Sequence, residues 1–453
     1  MSHSSNNLAR RVGGLSHRWL PFADAATVDL TLPRLWRLSL FQLSTGMAIV
    51  LLTGTLNRVM VVELGQGTSL VSLMLAIPLL LAPARALIGY RSDHHRSYLG
   101  WRRIPYLWSG TLMQFGGLAF MPFALILMIE PHSGPPIIGP IAAMGSFLLT
   151  GLGMHVSQTA GLALATDLAT EESRPRVVAL LYLMLLVGMI SSAVIFAALL
   201  DDFSYVRLIQ VIQSAAVITL ILNVAAMWKQ EVRHPELTDH ERERPTFGSA
   251  WGEFINLPKA RRLLWALGLG TMGFTMQDIL LEPYGAHVLG LSVSETTLLT
   301  ALFAGGMVLA LLMTSRTLRR GVDPIRLASV GVLIGIVAFV AVILSAPLQS
   351  TGLFQIGATL IGVGNGLFAV GMLTAAMVFG GAKMAGLTLG AWGAVQAAAT
   401  GLAMFSGGAI RDLVTGWADA GLLGVAMQTP ASPGRLTSRP SAASATNNKT
   451  ISI

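Results

Sequence analysis

The chain has 453 residues, of which 53% are hydrophobic and only 11% charged, whereas a soluble domain carries about 25% charged residues. That excludes one large soluble core and points to a polytopic α-helical membrane protein. The net charge of +8 does not imply nucleic acid, because the basic residues lie in short loops between apolar runs, and the absence of cysteine excludes disulfides and thiolate metal sites.

Residues 1–34 are polar or mixed, show no signal-peptide pattern, and are expected to form an N-terminal segment. Apolar runs of spanning length follow at 37–63, 68–90, 104–129, 137–166, 177–200 and 205–228, then at 263–288, 297–315, 325–346, 351–379 and 387–410. Each is read as a helix, because an open strand cannot satisfy its backbone groups in lipid. The first six make an N-terminal half at 35–228, and the polar loop 229–262 separates it from a second half at 263–427 with five clear spans. After Arg411 and Asp412 the stretch LVTGWADAGLLGVAMQ is too short and too interrupted for a normal span, so no twelfth span is visible. Residues 428–453 are rich in Ser, Pro and Ala and are expected to be disordered. Arg and Lys crowd alternate loops, including Arg91–Arg103, Arg174, Arg176, Lys229–Arg262 and Arg316–Arg326, while the opposite loops are nearly bare. This bias puts the N-terminus and the 229–262 loop in the cytoplasm.

An internal echo supports a repeat. LLTGLGMH at 148–155 matches TLIGVGNG at 359–366, which sets spans four and ten in register, and the first span of each half ends in a polar cluster, LNRVMVVELG at 56–65 and LLEPYGAHVLG at 280–290. Six spans, a loop and a related set resemble the plan of the major facilitator fold, whose halves are parallel repeats. The fold class expected is thus an all-α, polytopic bundle of that type. The glycine pairs Gly331/Gly335, Gly362/Gly366 and Gly386/Gly390 are spaced for close helix packing.

Ionisable groups inside a span are costly and usually face a cavity or a partner. Asp278 and Glu282 share a helix face in span seven, and Pro283 frees a carbonyl and breaks the helix locally. Arg58, beside Asn57 at the matching level of span one, is expected to pair with Asp278 or Glu282 across the halves; the alternatives are an ordinary helix end and a proton or ion relay. In the loop GYRSDHHRSYLGWRRIPY, Asp93 can pair with Arg96, Arg102 or Arg103 as a clasp on the cytoplasmic side, and Asp167 with Arg174 and Arg176 forms its second part; the alternative is a solvated charge cluster. Arg85 either snorkels or contacts an anionic group.

Five stretches carry a closer resemblance: LTGTLNRVMVVELG (52–65), PARALIGYRSDHHRSYLGWRRIPY (83–106), QTAGLALATDLATEESRPRVVAL (158–180), MQDILLEPYG (276–285) and LGAWGAVQA (389–397). In order and spacing over about residues 20–425 they resemble the PucC/LhaA proteins of purple phototrophic bacteria, the bacteriochlorophyll delivery family, and are nearer the LhaA type that serves the core antenna. The family normally has a twelfth span, which this chain departs from. The resemblance implies assembly of light-harvesting complexes in the bacterial inner (intracytoplasmic) membrane, with bacteriochlorophyll handled transiently and no stable metal ion. It implies antenna polypeptides as partners, with the reaction-centre core complex, pigment-synthesis enzymes and membrane-insertion machinery as further ones. On that reading His155 can ligate the pigment's magnesium through a neutral imidazole nitrogen. Gln158 lies one turn on, Gln277 is a second axial candidate, and Trp392 with Gln396 shares a face that could meet a large ring. Helix–helix hydrogen bonding and core packing are the alternatives for these residues. A carrier for such a pigment needs an apolar surface, and the scarcity of polar residues on the middle spans points to handling from the lipid side. No nucleophile–base pair, phosphate loop or catalytic metal pattern is present in the sequence, so an enzyme is not expected. Two other functions fit the same plan: a secondary transporter of a small molecule or ion, and a structural chaperone that touches no pigment.

Overall fold

The computed structural model describes residues 30–81, 101–129, 135, 137–170, 173–231, 258–319 and 321–420, and within these it gives the backbone alone for several positions, 174–176 and 377–390 among them. The described residues form helices and loops. α1 (Leu32–Leu38) leads into α2 (Leu40–Ile49), which continues through two π-helical stretches, Val50–Leu56 and Val59–Glu63. Then come α3 (Thr68–Leu80), α4 (Ile104–Ile129), α5 (Ile138–Leu168), α6 (Arg174–Leu199) and α7 (Tyr205–Met227). After the central loop come α8 (Pro258–Thr275), a 3-10 segment Met276–Ile279, α9 (Leu281–Leu289), α10 (Val293–Arg319), α11 (Pro324–Ser345) and α12 (Thr351–Asp419).

Eight helices among the described residues are long and apolar enough to cross a membrane. The difference from eleven expected spans has three local origins. α3 runs out of the described residues after Leu81. Span seven is divided at the 3-10 segment. The expected spans ten and eleven are joined: the backbone is helical from Thr351 to Asp419, with no break at 380–386. A straight helix of that length would reach about 100 Å, roughly three bilayer cores, so it cannot lie straight across one. Its first part packs on α11, with Gly364 against Gly331 and Gly371 against Pro324, and its later part packs on α3, with Gly401 against Ala76 and Gly408 against Ser72.

The repeat seen in the sequence reappears in the packing. Gly153 of α5 abuts Gly110 and Gln114 of α4, and its counterpart Gly364 of α12 abuts Gly331 and Gly335 of α11. Two residues earlier, Gly151 meets Pro78 of α3, and Gly362 meets the Phe303 backbone of α10. Spans two, three and four therefore bear on one another as spans eight, nine and ten do. Glycine serves here because the helices approach so closely that a β-carbon would overlap backbone atoms. Of the other expected pairs, Gly335 is covered by the Phe274 ring and Gly366 by Met307 and Ala310, while the side positions of Gly386 and Gly390 lie outside the described residues.

Contacts gather Met1–Ala409 into one compact unit that includes both halves. α6 packs along α10, which joins them. Residues 410–420 fall in a second unit as the helical end, with Leu413, Val414 and Trp417 exposed. The expected disordered tail and the question of a twelfth span fall almost wholly outside the described residues.

Candidate functional site: a cavity between the halves

The break in span seven follows from one residue. Pro283 has no N–H, so the carbonyl of Ile279, four residues earlier, loses its helical partner. Asn57 supplies the missing donor from the other half, Nδ2 to the Ile279 oxygen at 3.2 Å. α9 then ends at Gly290, whose φ of +68° is left-handed, with Leu291 N–H bonded back to Gly285 O at 3.1 Å. That closure presents the Leu291 carbonyl to Arg58 Nη2 at 3.4 Å. Ser292 and Glu295 cap each other at the start of α10: Ser292 N–H donates to Glu295 Oε2 at 2.8 Å, and Glu295 N–H to Ser292 Oγ at 3.2 Å.

Arg58 does reach the second half, and its charge acts on Glu282 there, but its contact ion pair is with Glu63, in its own span, and not with Asp278 or Glu282. Glu63 follows Arg58 by five residues, and the π-helical winding of Val59–Glu63, with five residues to a hydrogen-bonded turn, brings the two onto one face. Helical periodicity of 3.6 would have hidden that pairing. Glu282 instead accepts a hydrogen bond from Thr300 Oγ1 at 2.6 Å on α10, and Asp278 accepts from Gln277. A double-mutant cycle of Arg58→Ala with Glu63→Ala should give a coupling of about 1 kcal/mol in thermal unfolding, limited because Glu63 is partly exposed. Additive effects would remove the pair.

The expected clasp is seen in part. Arg103 Nε lies 3.1 Å and Arg102 Nη2 3.6 Å from Asp167 Oδ2, so the two parts of the clasp pair with each other, joining the start of α4 to the end of α5. Asp167 is thus engaged across helices. The side chains of Arg174 and Arg176, and Asp93, Arg96 and Arg85 altogether, lie outside the described residues. Sequence reasoning missed Glu231, whose carboxylate accepts from the backbone N–H groups of Arg102 at 2.8 Å, Arg103 at 3.0 Å and Ile104 at 2.9 Å. It also missed the neighbouring link, in which Arg34 Nε donates to Gln230 Oε1 at 3.2 Å.

Between the halves lies a cavity of about 740 Å³. α2, α3, α5 and α6 line it from one half, and span seven, α10 and both parts of α12 from the other. The wall is mostly apolar, with Phe147, Phe303, Met74, Met154, Met189 and Met404 among its residues. The polar candidates nearly all face it: His155, Gln158, Gln277, Trp392 and Gln396, together with Asp278 and Glu282. They come from separate spans, and the fold alone brings them together. These polar groups turn inward to the cavity. Gln158 Nε2 donates to Gln42 Oε1 at 3.4 Å, a buried partner on α2 that the sequence reading did not single out. Trp392 is 8% exposed and its indole N–H has no hydrogen-bond partner, nor has Gln277 Oε1 or Glu282 Oε2. Among the described residues no cluster of His, Cys, Asp or Glu suits a metal ion. The volume falls within the roughly 300–1,000 Å³ common for small-molecule sites.

The sequence matches the family model described as PUCC protein over residues 55–429. It is 52% identical to Protein PucC of Rhodovulum sulfidophilum, covering 91% of this chain and 92% of that one. It is 53% identical to an uncharacterized protein in the puhA-bchM intergenic region of Rhodobacter capsulatus, covering 93% and 89%. In fold it is similar to a bacterial homolog of the human lysosomal transporter Spinster, solved inward-facing and unoccupied, with a TM-score of 0.64, 17% identity and coverage of 86% and 84%. The bundle is of the major facilitator type.

Proposed function

The chain belongs to the PucC protein family, and on that premise we propose that it is a membrane assembly factor for photosynthetic light-harvesting complexes, with bacteriochlorophyll as the cargo of the cavity between its halves. One observation carries this reading: the residues that a macrocycle with a central magnesium would use converge on a single, mostly apolar cavity. The flat apolar body suits Phe147, Phe303 and the adaptable methionines. His155, or the oxygen of Gln277, would meet the magnesium, and the Trp392 indole N–H would donate to a carbonyl at the ring edge. In this reading the protein holds and hands over a molecule and performs no chemical step on it. Its receiving partners are the antenna polypeptides, within the inner membrane, with the N-terminus on the cytoplasmic side.

A clean deletion strain is the test. Core-antenna absorbance should fall severalfold while free bacteriochlorophyll is still made, and the wild-type gene should restore it. The purified protein should carry pigment in less than equimolar amount, lowered further by Trp392→Phe or His155→Ala. Normal antenna levels in the deletion strain would sink the assembly role.

The carboxylates of Asp278 and Glu282 on the cavity wall favour a second reading, a secondary transporter of a small molecule or ion. That reading requires gradient-driven uptake by the protein in liposomes and an antenna of normal size without it.

A further inference from the structure

At the junction of spans one and seven several buried hydrogen-bond acceptors stand without partners. Glu282 is 4% exposed, and its Oε2 has no partner. Gln277 Oε1, on the same cavity wall, and the fully buried Asn57 Oδ1 also have none. Thr300 gives its hydroxyl to Glu282 Oε1, Asn57 its amide to Ile279 O, and Gln277 its amide to Asp278. Arg58 is bound to Glu63 and the Leu291 carbonyl, and its Nε has no partner. The junction holds three carboxylates, those of Glu63, Asp278 and Glu282, and one guanidinium. The C-terminal end of α8, an 18-residue helix, stops at Thr275 and adds partial negative charge. Unpaired buried carboxylate oxygen is costly, and interrupted helices with freed acceptors are where membrane proteins hold small cations.

We propose that Glu282 Oε2, with Gln277 Oε1 and the Asp278 carboxylate, forms a binding site for a monovalent metal cation at this junction. The occupant is small: a β-carbon at Gly54 would lie 2.7 Å from Glu282 Oε1 and 3.1 Å from Thr300 Oγ1, so span one closes that side. The cation balances the Glu282 carboxylate, whose contact with a cationic side chain is taken by Glu63, and it braces the break in span seven. With His155 as the magnesium ligand, Gln277 is left to the cation, and the site does not depend on what the cavity carries. The other titratable groups on the surrounding walls are His155, on α5, Tyr182, on α6, and Tyr284 and His287, on α9.

Thermal unfolding of the purified full chain tests it, in sodium chloride and potassium chloride against choline chloride at matched ionic strength and fixed pH. One of the metal salts should raise the Tm by about 2–4 °C. Glu282→Gln should abolish that rise, and in choline chloride its Tm should equal or exceed that of the wild type, because an uncompensated charge is gone. Gly54→Ala, which presses a methyl group on the same carboxylate, should reduce the rise and keeps the test open if Glu282→Gln fails to fold. Equal Tm values in all three salts would overturn the site. So would a response retained in both variants. A wild-type Tm that ignores the salts and climbs only as pH falls would show that the junction takes a proton in place of a metal ion.

Discussion

Leucine in place of Gly153 is expected to remove most folded protein from the membrane. Gly153 sits where α4 and α5 touch most closely: a β-carbon there would lie 2.6 Å from the Gly110 carbonyl oxygen and 2.9 Å from Gln114 Cα. These are backbone atoms, which cannot rotate away as a side chain can. Overpacking a tight contact costs about 1–3 kcal/mol, and an obstacle against backbone belongs at or beyond the upper end. The contact also sets α5, which carries His155 and Gln158 to the cavity. Gly145 provides the control. It lies on the same helix, is exposed, and has no atoms within 4 Å of a β-carbon built there, so Gly145→Leu should leave yield and Tm near wild type. Equal behaviour of the two variants would refute the close approach. The repeat extends the prediction: Gly364→Leu, at the matching place in the second half, should be as damaging as Gly153→Leu.

The second large effect belongs to Glu231. Its carboxylate holds three consecutive backbone N–H groups at the N-terminus of α4, where the helix dipole also favours an anion. Glu231→Ala leaves those donors to water and frees Arg102 and Arg103 from the frame that aims them at Asp167. Hydrogen bonds to a charged group are worth about 1.5–3 kcal/mol each when well buried. Glu231 is only partly buried, so a total loss of about 2–3 kcal/mol is expected, read as a lower Tm. Glu231→Gln keeps an acceptor without the charge and should recover part of it. Asp167→Asn should couple to Glu231→Ala in a double-mutant cycle, because both act on the orientation of Arg103. Independent effects would mean that the cap and the ion pair are separate structures.

Much of the architecture was legible from periodicity and composition. Long apolar runs can only be helices in lipid, and the echo of LLTGLGMH in TLIGVGNG carried enough geometry to forecast that spans four and ten would be used alike. Pro283 was legible as a break because a missing N–H is a local property of one residue. Asp278, Glu282, His155, Gln158, Gln277, Trp392 and Gln396 stood out because polar groups are expensive inside apolar spans, which is a matter of composition and not of contact. The direction each of them faces is another kind of fact. It depends on helix rotation, and that is set by packing: by Gly54 against Glu282, by Gly153 against Gly110, by α6 against α10. Hence seven polar residues from three distant stretches meet in one cavity and do not turn to lipid. Arg58 chose Glu63 because π-helical winding changed which residues share a face, a departure from 3.6-residue spacing that the local sequence does not announce. Glu231 caps a helix 128 residues back along the chain from its own position, at Arg103, and no spacing rule connects them. Chain-local chemistry thus decided which segments span and which residues are too costly to be idle, while the pairing of those residues waited on the close packing of helices remote in sequence.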